Sequence, residues 1–162
     1  MPTCSPRIAY YLEQLRQGQV DSAYHGLLET NYEMLPELIA VFRTETDTRT
    51  REFLLGVIWE RWEQAMARYA GDALRDYQEG REPAVTLART IIPLLGEALL
   101  DPEPLVWRQA LDGLVGFASP AAMDVLRAAR TRQFERQQDT EEFRRWLEEA
   151  IEQAQRRKRE MT

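Results

Sequence analysis

Apolar residues recur at spacings of three and four from one end of the 162-residue chain to the other, and no stretch alternates with a period of two. That spacing lays a stripe along one side of a helix, so the pattern predicts an all-α protein. Start and stop signals divide it into about eight helices. Ser5-Pro6 opens the first, over Ile8, Tyr11, Leu12 and Leu15, and Gly18 closes it in the left-handed conformation that glycine adopts freely. Asp21 is the expected cap of a second helix through Leu28, with Ala23, Tyr24, Leu27 and Leu28 as its apolar positions. A third follows Asn31, buries Leu35, Leu38, Ile39 and Phe42, and tolerates Pro36 because it falls in the first turn.

The polar run "TETDTRT" then makes a turn, and Asp47 caps a long fourth helix reaching about Ala70. Residues 71–83 read as a connection. A fifth helix spans about Ala84 to Leu100 and ends at "DPEP" (101–104). The stretch 106–129, "VWRQALDGLVGFASPAAMDVLRAA", supplies the sixth and seventh helices, split at "GFASP". Asp139 with Glu142 three residues on has the spacing of a capping box for a terminal helix carrying Phe143, Trp146, Leu147 and Ile151 on one face.

The pattern also repeats. Shifting Leu35–Ile58 by 57 residues onto Ile92–Val115 aligns Pro36 with Pro93, Leu38 with Leu95, Arg51 with Arg108, Leu54 with Leu111 and Gly56 with Gly113. The second helix echoes it more weakly: Ala23-x-x-Gly26-Leu27 resembles Ala110-x-x-Gly113-Leu114 and Phe53-x-x-Gly56-Val57. A glycine inside a helix costs about 1 kcal/mol against alanine, so three at equivalent positions point to places where neighbouring helices approach closely.

Residues Asp101, Pro102, Val106, Ala110, Leu111, Gly113, Leu114, Ser119, Pro120, Ala121, Ala122 and Leu126 carry a resemblance to a bacterial HEAT-like repeat, of the kind also found in phycobilisome-lyase-type proteins. Residues 27–43 resemble the junction of two such units. Trp107 stands where that pattern has arginine, and Gly116 to Ser119 replaces its Gly-Asp turn. The resemblance implies antiparallel helix pairs stacked as a short α-α superhelix, each pair burying its apolar face against the next, so that four pairs account for the eight helices. The expected organisation is one HEAT-like domain over about 5–155 with a short basic tail at 156–162.

Charge narrows the class of partner. The chain carries a net charge of −6, unevenly spread: residues 1–129 hold 12 Arg and 19 acids, whereas 130–162 hold eight Arg, one Lys and eight acids. An acidic body opposes phosphate-backbone binding, so nucleic acid is not the expected partner. The basic residues in "AQRRKRE" (154–160) complement the negative end of the last helix dipole. No run approaches the roughly 20 apolar residues of a membrane span, and the N-terminus lacks a basic segment followed by an apolar one. With a single cysteine, Cys4, no internal disulfide forms, and the expected compartment is the cytoplasm.

Candidate chemistry is sparse. His25 is the only histidine, which excludes a two-histidine metal site, and Cys4 alone excludes a cysteine cage. "GVIWERW" and "GLVGFAS" lack the lysine and the strand–turn–helix setting of a phosphate loop. Glu45 with Asp47, and Glu60 with Glu63, read as caps and solvated faces rather than acid–base pairs. Arg61, Arg68 and Arg75 read as exposed ion-pair partners of Glu60 and Asp72. The expectation is a non-enzymatic protein with no cofactor and no metal. Trp59 reads as core. Trp62 and Trp107, bordered by Arg61 and Arg108, are the expected interface anchors, since tryptophan and arginine are enriched at binding hot spots.

These features predict a protein–protein interaction module, either an adaptor or an immunity-type inhibitor that masks a basic partner. The repeat resemblance adds two alternatives: a lyase-like protein that handles a chromophore, which would draw on Cys4 and His25, and a HEAT-like DNA-binding protein, which the acidic body opposes.

Overall fold

A computed structural model of the chain describes residues 5–28, 34–68, 87–131 and 141–160, with the side chains of 61–68, 87, 88 and 158 outside that description. The fold is all-α: the described residues form eight α-helices and no strand. They are α1 (Pro6–Arg16), α2 (Val20–Leu28), α3 (Leu35–Thr44), α4 (Thr48–Arg68), α5 (Ile92–Ala98), α6 (Pro104–Phe117), α7 (Pro120–Thr131) and α8 (Glu141–Glu160).

The helix ends follow from local chemistry. Ser5 Oγ accepts the Ile8 amide at 3.3 Å, and Gly18 beyond the other end of α1 takes φ +83°. Asp47 Oδ2 accepts the Thr50 amide at 2.9 Å to cap α4, and Ser119 Oγ accepts the Ala122 amide at 3.2 Å to cap α7. Prolines stand in the first turns of α1, α3 and α6, where a missing N–H breaks no helical bond.

Two expectations are corrected. Asp21 is not the cap of α2, because the helix already begins at Val20 and the Gln19 carbonyl accepts the Ala23 amide at 3.1 Å. Asp21 sits instead in the first turn, where its charge complements the positive end of the helix dipole. The fifth helix is α-helical only over Ile92–Ala98, and a π-helical turn, Leu87–Ile91, leads into it. Pro93 supplies the reason, since it has no N–H to offer the Arg89 carbonyl four residues back. Glu142 pairs with Arg108; Asp139, its expected partner in a capping box, lies outside the described residues, as do Asn31, Cys4 and residues 71–83.

The chain divides into two compact units, Met1–Arg61 and Trp62–Thr162. In the first, α1 packs on α2. The Ser5 amide donates to Glu37 Oε1 of α3, Tyr24 of α2 meets Phe53 of α4 edge-on at 6.2 Å, and the Arg51 guanidinium of α4 lies 5.3 Å from the Phe42 ring of α3. These contacts join α1 to α2 and α3, and α4 to α2 and α3. Ile8, Leu27 and Leu54 are fully buried between them. Six consecutive residues of α4, Leu54 to Trp59, are buried, and at 100° per residue they cover every side of the helix.

In the second unit α5 packs on α6 and α7, and α8 packs on α6 and α7. Leu95, Val106, Leu114, Leu126 and Ala154 form its centre. The outer side of α8 is charged, with Glu141, Arg144, Arg145, Glu148, Glu149, Glu152, Arg156 and Arg157 all exposed.

The 57-residue repeat reappears in three dimensions. Leu35 and Ile92 each begin a helix. Leu38 and Leu95, Val41 and Ala98, Phe42 and Leu99, Leu54 and Leu111, and Gly56 and Gly113 are buried in both copies, while Pro36 and Pro93 are exposed in both. Arg51 and Arg108 each lie over an aromatic ring.

Candidate functional site

The four expected anchors divide between described and undescribed side chains. Arg61 and Trp62 belong to α4, but their side chains lie outside the described residues. Trp107 is 2% exposed and belongs to the core of the second unit. Its ring meets Phe143 edge-on at 5.1 Å and Trp146 at 6.4 Å, both on α8. The expectation of an accessible Trp107 is therefore corrected: this ring joins α6 to α8 and has no face left for a partner.

Arg108 covers that cluster. Its guanidinium carbon lies 5.4 Å from the Trp107 ring and 4.8 Å from the Trp146 ring, and Nη2 donates to Glu142 Oε1. Nε is buried without a hydrogen-bond partner, so the ring faces offset part of the desolvation of the cation. Arg108, one-third exposed, is committed to its own chain.

The polar candidates have structural explanations. Glu45 Oε1 accepts the Thr46 and Asp47 amides, at 3.2 and 3.1 Å. Asp47 Oδ2 accepts both the Thr50 amide and its hydroxyl, at 2.9 and 2.8 Å. These bonds to Thr50 hold the Asp47 carboxyl below its ordinary pKa. His25 is exposed and meets Tyr24 edge-on at 5.6 Å. Among the described residues no three His, Cys, Asp or Glu side chains cluster as metal ligands would, and no helix is long and apolar enough to cross a membrane.

One feature of the second unit is a recess rather than a packed contact. Between α5 and α7 runs an open groove of about 290 Å³, lined by Pro93, Gly96, Glu97, Leu99, Leu100, Val125, Ala128 and Ala129. Leu99 and Ala129 are buried and form its floor; Pro93, Glu97 and Ala128 are exposed at its mouth. At Gly96 the helix pair comes close, since an added Cβ would stand 3.3 Å from Val125 Cγ1.

A dry apolar cavity of about 150 Å³ takes a benzene ring, and drug-sized ligands use roughly 300–1,000 Å³. The groove thus suits one or two apolar side chains rather than a large cofactor. Sequence reasoning missed it. The available signal was Gly96 standing opposite Ile39 in the 57-residue repeat, together with the adjacent alanines Ala128 and Ala129.

Comparison with known proteins returns no matching family model, no similar curated protein and no similar solved structure.

Proposed function

We propose that the chain is a non-enzymatic protein-binding module of HEAT-like helix pairs, serving as an adaptor or as an inhibitor that masks a basic partner. The observation that carries this reading is the α5–α7 groove, an apolar recess held open between packed helices. Binding at such a recess needs no reordering of the scaffold, which lowers the entropic cost of association. The paired helices, the 57-residue repeat and the charged outer side of α8 support the HEAT-like part of the reading. The net charge of −6 supports a basic partner, because an acidic body accelerates its encounter.

The test is an affinity pull-down from the source cytosol with two baits, the wild-type chain and Ala128→Phe, washed at low and then moderate salt. Ala128 is exposed, so the phenyl ring fills the groove without entering the core. The expected result is one basic protein retained stoichiometrically by the wild type and lost from the variant. Equal retention by both baits would remove the groove from the account. Recovery of a pigment or of nucleic acid instead would replace the reading.

A further inference from the structure

We draw no further inference here: the strongest candidate, the open groove between α5 and α7 lined by Leu99, Leu100 and Val125, belongs to the site already described, and nothing in the structure shows what covers it.

Discussion

At Gly26, α2 packs tightly against Tyr11 of α1. A methyl group added there would fall within the ring of Tyr11, so the glycine is selected by the neighbouring helix against its own helical preference. Gly26→Ala should destabilise the chain by about 1–3 kcal/mol through overpacking, despite alanine's better propensity. With Tyr11→Ala in the background the sign should reverse, and chemical denaturation of the double-mutant cycle measures both. Trp107 and Arg108 make a second contrast. Trp107→Ala removes a buried ring from the α6–α8 contact and should cost about 3–5 kcal/mol. Arg108→Ala removes a half-buried cover and should cost about 1–2 kcal/mol, because its ion pair with Glu142 is partly solvated. Equal losses for the two would show that Arg108 carries more of this contact than its stacking explains. Asp47 gives a pH test. Its folded pKa lies below the unfolded value, so its stabilising contribution is complete above the unfolded pKa and disappears as pH falls through the folded one. The stability difference between the wild type and Asp47→Ala should therefore be largest near neutrality and shrink in the acid range. A difference that stayed constant into strong acid would contradict the cap.

At the scale of elements, the joint between α6 and α7 is the most constrained. Ala118 there takes φ +46°, with its amide bonded to the Leu114 carbonyl at 3.1 Å, although left-handed backbone is unfavourable for any residue with a Cβ. A β-branched replacement is worse placed still, and Ala118→Val should lower stability by about 2 kcal/mol, read as a drop in Tm. Helix ends were legible in the sequence wherever one residue performs the capping, as Ser5, Gly18 and Asp47 do. Asp21 misled because acidic residues favour both the cap and the first turn, and only the backbone distinguishes them. The π-helical entry to α5 was hidden for a different reason: Leu87–Ile91 has the composition of an ordinary helix, and the departure arises from Pro93 two residues beyond it. Trp107 was ambiguous because a large aromatic at helical spacing serves equally as core or anchor, and the decision lies with Phe143 and Trp146, more than thirty residues away. The groove left almost no trace, since small residues such as Ala128 and Ala129 in its lining read as ordinary helix formers.

For the whole molecule, the sequence announced an all-α chain with an internal repeat, and the structure gives that repeat physical content. Several positions are buried in both copies, and the equivalent arginines, Arg51 and Arg108, each lie over an aromatic ring, although the rings, Phe42 and Trp107, are not equivalent positions. The copies also differ: Gly96 stands where the first copy has Ile39, and Val125 packs close against it. The most direct test is hydrogen-exchange mass spectrometry of the chain, alone and in the complex recovered with its partner. Slowed exchange confined to residues 93–100 and 125–129 is the predicted footprint. Protection centred on α1 or on the outer side of α8, with these two segments unchanged, would contradict the account.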